Sequence, residues 1–434
     1  MLLETQKSII FLPTERRMRQ IFLTGLIISF LCHSLPSLAQ IRTDSASVDS
    51  VDTRPVIIMT GKLHETTFDV MTIDTLEEQK ESDALFKVGG AVRFNYFVKS
   101  WEGQQSNRSK LGDMAFDLFR INVTGELGGI ILNAEYRFYS DDFGGPMPHS
   151  AWAGYNFNER NMVQVGLHQV PFGNQTYNSD NWFFNIPYYL GLEDDYDLGI
   201  KYIYSGDRLG LVAGFYKNAE LSPYDYGRYS YDFVGEFEET NQANVKLMYY
   251  LTGDTRIGVS GQLGQIYNNV EDDFGTHHAL AVHMRGDYNR VGVKLQAMSF
   301  GADIPQQVLV PGSEIGGNDI ITMGAYGAPY NVAYGGQIYT ASINYQLPVD
   351  WGPVSRLVFY DNYSYYDKSN ENYADTQMNV LGMMVTAGSV YTYIDYASGL
   401  NHPWLSANYA DGLAEGLADA EWQSRFNINI GYYF

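Results

Sequence analysis

Residues 421–434 read EWQSRFNINIGYYF. Side chains alternate across an extended strand, so Phe426, Ile428, Ile430, Tyr432 and Phe434 share one face while Arg425, Asn427, Asn429, Gly431 and Tyr433 share the other. An apolar face for lipid, a polar face for a lumen and an aromatic at the close are the pattern of the last strand of an outer-membrane β-barrel. An edge or core strand of a soluble sandwich has the same local pattern, so the rest of the chain must separate the two.

Upstream the alternation recurs. Val88, Gly90, Val92, Phe94 and Tyr96 oppose Gly89, Ala91, Arg93 and Asn95; Phe119, Ile121, Val123, Gly125 and Leu127 oppose Arg120, Asn122, Thr124 and Glu126. About sixteen such strands are expected, centred near 92, 121, 134, 153, 166, 201, 212, 247, 260, 283, 295, 341, 359, 382, 393 and 428. Short connections (128–129, 158–161, 205–208, 252–254, 287–290, 347–353, 387–389) alternate with long ones (99–114, 140–148, 174–196, 217–239, 268–276, 303–333, 367–375, 398–420). A sandwich has no reason to sort its loops in this way. The expected fold is therefore all-β: a closed antiparallel transmembrane barrel over 85–434 with short periplasmic turns and long extracellular loops.

The N-terminal part reads differently. Arg16, Arg17 and Arg19, the apolar run 21–31 and the small-residue site Ser37-Leu38-Ala39 form a signal peptide over 1–39, with Met18 as an alternative start. The lone cysteine, Cys32, lies inside it, so a disulfide framework or thiol nucleophile is not expected. Residues 40–84 are acidic and polar without periodicity and are expected to be a disordered extension. No later run approaches the roughly 20 apolar residues of a spanning helix, which leaves a barrel as the way to cross a bilayer. A formal charge of −22 argues against nucleic acid as a partner.

The segment Gly166-Leu167-His168-Gln169-Val170-Pro171-Phe172-Gly173 resembles the GQFKxPFG signature of the phosphate-selective porin O and P family. Asp197-Leu198-Gly199 and Tyr360-Asp361-Asn362-Tyr363-Ser364 are similar to further strand-end elements of that family. The resemblance implies a sixteen-stranded barrel, usually a homotrimer, whose third long loop folds inward and narrows a pore. The residues themselves point the same way. Pro171 cannot continue a strand ladder and Gly173 allows a sharp turn. The loop that follows carries Trp182, Phe183, Phe184, Tyr188 and Tyr189, a cluster too apolar to stand free in water.

Parity turns Arg93, Arg120, Arg137, Lys201, Lys246, Arg256, Arg285, Lys294, Arg356 and Arg425 inward, either as a ladder attracting anions or as residues paired with lumen acids such as Glu126, Glu135, Asp197 and Asp395. Residues 174–200 hold no Lys or Arg but include Asp180, Glu193, Asp194, Asp195 and Asp197, so phosphate is not the expected substrate. Acids at 236, 238, 239, 271–273, 411, 415, 419 and 421 are read as a solvated face or as divalent-cation bridges to lipopolysaccharide. His277-His278 is read as a pair in an acidic loop, and His168 as inward. No metal spacing and no G-x-S-x-G elbow is present. The expectation is a porin, not an enzyme, exported to the bacterial outer membrane. It would pass small hydrophilic solutes or ions with no cofactor, contacting outer-membrane lipid and lipopolysaccharide. A sugar-selective channel is the nearest alternative, and a barrel hydrolase or surface-binding barrel with a plugged lumen the alternative class.

Overall fold

A computed structural model describes residues 85–101, 106–305 and 319–434. The expected signal peptide and extension lie outside the described residues. In chain order the strands are β1 (Leu85–Lys99), β2 (Asp113–Leu127), β3 (Ile130–Phe138), β4 (Pro146–Asn158), β5 (Asn161–Gln169), β6 (Tyr196–Ser205), β7 (Leu209–Ala219), β8 (Asp232–Phe233), β9 (Phe237–Tyr250) and β10 (Thr255–Asn268). They continue as β11 (Asp273–Tyr288), β12 (Val291–Asp303), β13 (Ile320–Ala325), β14 (Ala328–Ala333), β15 (Gly335–Trp351), β16 (Val354–Lys368), β17 (Thr376–Ala387), β18 (Val390–Leu400) and β19 (Gln423–Tyr433).

All but β8, β13 and β14 form one closed barrel of 16 antiparallel strands, each paired with its neighbours in sequence and β1 paired with β19. Closure extends to the last residue: Phe434 N donates to Gly90 O at 3.0 Å and Gly90 N to Phe434 O at 2.8 Å. A closed ladder pairs every backbone group, which hydrocarbon requires. Among the described residues no helix is long and apolar enough to cross a membrane.

Alternation sorts the side chains as expected. Val88, Leu280 and Phe434 stand 70%, 64% and 59% exposed on the outer surface, whereas Asn427 and Asn429 of β19 are buried inside. Every expected strand centre falls within a barrel strand. Two differences have local causes. The connection expected over 268–276 shrinks to 269–272, because the alternation of β11 already begins at Asp273. In addition, β8, β13 and β14 make a separate three-stranded sheet within the connections 217–239 and 303–333. The β13 segment IITMGA is buried on both faces and shows no period of two.

Sixteen strands enclose more space than their inward side chains fill. Here the surplus is occupied by loops: Phe183, Ile186, Tyr188, Tyr189 and Leu190 pack with Tyr229, Tyr231, Phe233, Met323, Tyr326, Tyr330, Leu405 and Leu413 in one apolar cluster.

Candidate functional site

Between β5 and β6 the chain leaves the wall as an inward loop, 170–195. Val170 N still reaches Asp195 O at 2.9 Å, and Pro171 then ends the ladder because it has no N–H to offer. Gly173 has φ +57, and a Cβ there would lie 2.3 Å from Gln296 Oε1. Bare backbone is needed for this approach, which lets Gly173 N donate to Ser260 Oγ (3.1 Å) and Asn174 N to Gln296 Oε1 (2.7 Å).

From there the loop travels round the wall, one strand after another. Ser342 Oγ donates to Asn178 O (2.9 Å), and Asn178 Nδ2 donates to Thr340 Oγ1 (2.5 Å). Lys294 Nζ (2.7 Å) and Asn344 Nδ2 (3.1 Å) both donate to Asp180. Asp180 N and Asn181 Nδ2 donate to Asn362 Oδ1 at 3.0 and 2.6 Å, Ile186 N to Ser364 Oγ at 3.2 Å, and Trp182 N to Asp395 Oδ2 at 3.3 Å. Polar side chains of β10, β12, β15, β16 and β18 thus satisfy loop groups that burial would otherwise leave without partners. On the return leg Glu193 Oε1 accepts from Asn178 N (2.9 Å), while Asp194 accepts from Gln169 Nε2 (3.0 Å) and Tyr229 OH (2.6 Å). Burial pushes the Glu193 carboxyl up to about 8.

The inward basic residues divide between this loop and the wall. Lys201 Nζ donates to Gln169 O (2.7 Å), Lys246 Nζ to Gln175 Oε1 (2.8 Å), Arg256 Nη2 to Gln175 O (3.4 Å) and Lys294 Nζ to Ser179 O (2.7 Å). Arg120 and Arg137 share Glu135 at 3.1 and 2.6 Å, Arg93 meets Asp117 at 2.8 Å, and Arg285 meets Asp287 at 3.0 Å. Two β-bulges build these pairs. One between β1 and β2 adds Asp117 to the inside beside Arg93, and one between β3 and β4 adds His149 beside Glu135.

Of the loop aromatics, Phe183, Tyr188 and Tyr189 are buried against other loops, and Tyr188 OH lies 2.5 Å from Tyr326 OH. Phe184 stacks on Tyr188 with centroids 4.0 Å apart. Trp182 and Phe184 keep partial exposure at the edge of the loop. The half-buried Arg425 of β19 faces them: its guanidinium sits 4.3 Å from the Phe97 ring of β1, 5.3 Å from Phe183 and 5.6 Å from Trp182. This edge of the inward loop is therefore bordered by a cation and aromatic rings.

His277 and His278 do not form a pair. They lie on β11, where alternation turns His277 inward against Phe233 and His278 outward, so one ion cannot take both. His168 is buried inside against Tyr216. Of the loop acids, Glu239 is buried rather than presented at the surface. The sequence did not single out Ser260, Gln296, Thr340, Ser342 or Asn344, and it marked Asn362 only within the strand-end element 360–364. The available signal was the small polar residue recurring at inward parity.

No protein family's sequence profile matches the chain, and no curated protein matches it. Solved structures do. The anion-selective porin from Comamonas acidovorans is similar at TM-score 0.54 with 12% identity, covering 81% of this chain and 100% of that one. OmpT of Vibrio cholerae, an outer membrane protein in its trimer form, matches at TM-score 0.52 with 13% identity, covering 81% and 99%. The outer membrane channel DcaP of Acinetobacter baumannii matches at TM-score 0.51 with 13% identity, covering 81% and 97%. At these identities the likeness shows the fold: a closed barrel of the kind found in outer-membrane proteins.

Proposed function

We propose that this chain is an outer-membrane channel for passive diffusion of small hydrophilic solutes or ions. The observation that carries this is the inward loop itself, clasped across the lumen by polar and charged wall residues from β10 to β18. A barrel closed only to hold its own shape has no need of a loop anchored at mid-lumen. An eyelet does, because solute size is set by how firmly the constriction is held. The similar structures, a porin and a channel among them, support the same reading.

Where the inward loop meets β19, Arg425 with Phe97 and Trp182 favours small anions and ring-bearing solutes over cations. Phosphate, the substrate class of the porin O and P resemblance, is disfavoured. Residues 174–200 lack Lys and Arg, Lys246 and Lys294 bind the loop instead, and Lys201 binds the end of β5. Trimer assembly belongs to the same proposal, by resemblance, and native mass spectrometry of the detergent-extracted protein tests it.

The apolar cluster across the mouth favours a second reading, a barrel whose lumen is plugged. Planar-bilayer recording of the refolded barrel separates the two. A channel gives small single-channel steps in the wild type and larger ones after deletion of 177–190. A plug gives none in the wild type, with steps appearing only in the deletion.

A further inference from the structure

Where the inward loop rejoins the wall, three carboxylates converge. One oxygen from each of Asp195, Asp197 and Asp232 lies within 4.8 Å of the others, and all three residues are buried. Two oxygens bound to one Ca2+ at about 2.3–2.6 Å stand at most roughly 5 Å apart, so a single ion can bridge this set. A fourth group makes the case independently. Glu220 Oε1 accepts from Tyr229 N (3.1 Å) and Ser230 N (2.9 Å), which leaves its buried Oε2 turned to the Asp232 carboxyl group. Oδ1 of Asp195, of Asp197 and of Asp232 likewise accept no hydrogen bond. Glu239 of β9 is buried beside Asp232 and Asp195.

Among the described residues, the cation facing this group is Arg228, whose Nη1 lies 2.8 Å from Asp232 Oδ2. One guanidinium cannot offset so many buried carboxylates, and leaving them charged without a partner is costly.

We propose that Asp195, Asp197 and Asp232 bind a hard divalent cation of the Ca2+ class, with Glu220 and Glu239 completing an all-oxygen shell. The ion ties the end of the inward loop and β6 to β8 and β9, so it clamps the loops over the barrel mouth. The site stands whether or not the barrel conducts.

The test uses the full chain, refolded in detergent and stripped with chelator. Equilibrium dialysis against CaCl2 is expected to find a single bound Ca2+ per chain, with Mg2+ held more weakly. Tb3+ excited through tyrosine is expected to luminesce and to be displaced by Ca2+, since Tyr196 adjoins the site. Asp197→Asn is expected to weaken Ca2+ binding by roughly tenfold or more, whereas Asp419→Asn, on an exposed loop, leaves it unchanged. Heat-modifiable gel mobility reports whether each variant folds. Failure of the folded wild type to bind Ca2+ at millimolar concentration overturns the proposal and leaves shared protons as the means of neutralising the cluster. Binding by Asp197→Asn equal to that of the wild type overturns it too. Should Asp197→Asn not fold, Ca2+ bound by the wild type without displaceable Tb3+ luminescence does the same.

Discussion

The Lys294 ammonium lies 2.7 Å from the Asp180 carboxylate, with both side chains only 4% exposed. This pair joins β12 to the tip of the inward loop, and Asn344 supports it from β15. Removing one partner leaves a buried charge uncompensated, which typically costs about 3–5 kcal/mol. Asp180→Asn is therefore expected to free the loop. Larger conductance steps and a lower temperature for the folded-to-unfolded gel shift are the readouts. The double change Asp180→Leu with Lys294→Met should recover part of the loss, and a double variant worse than either single one would refute the pairing.

Gly173 and Gly388 both have positive φ, +57 and +59, but only Gly173 has a neighbour where a Cβ would go. Alanine at either site pays about 1–2 kcal/mol for the left-handed backbone. Gly173→Ala must also displace the Gln296 amide and lose its bond to Asn174 N, about 1 kcal/mol more. The loss at Gly173 should exceed that at Gly388, measured as the shift in urea midpoint during reversible unfolding in detergent. Equal losses would mean that Gln296 does not hold the loop.

Arg425 sits between Phe97 and Trp182, beside the inward loop. Arg425→Glu reverses the charge that a passing ion meets. An interaction of roughly 1 kcal/mol at contact in water changes sign on reversal, a swing of about 2 kcal/mol, which corresponds to roughly a thirtyfold change in the permeation of each ion. Reversal potentials in a salt gradient are expected to move toward cation preference by that order. An unmoved reversal potential would place the ion path elsewhere.

Glu193 has its carboxyl raised from 4.5 to about 8, chiefly by burial. The folded form then binds more protons than the unfolded form between those values, so stability falls as pH rises through this window and levels above it. Loop docking, followed by protease cleavage within 174–196, should loosen from pH 4.5 to about 8 in the wild type. Glu193→Gln keeps an acceptor for Asn178 N and removes the charge, so it should reduce that slope. A slope as steep in Glu193→Gln as in the wild type would assign it to other groups.

Much of this architecture is legible in the chain. Period two in stretches such as Phe426 to Phe434 places every barrel strand, because a strand with lipid on one side and a lumen on the other must alternate. The inward turn at Pro171-Phe172-Gly173 was readable for a local reason as well: one residue lacks a donor and another tolerates positive φ. The inward direction of Lys201, Lys246 and Lys294 followed from parity alone.

What those side chains touch did not. Lys294 and Asp180 are far apart in sequence, as are Asn174 and Gln296, so nothing local pairs them. The bulges that turn Asp117 and His149 inside break parity and leave no mark on composition. The carboxylates of Asp195, Asp197 and Asp232 meet only when β8 is folded over the rim. By itself the sequence determined the barrel, its strand number and, away from the bulges, the face of its strand residues, since these depend on neighbours along the strand. Only the tertiary structure decided how the lumen is filled and which charges meet, since closure of the barrel brings together residues from distant strands.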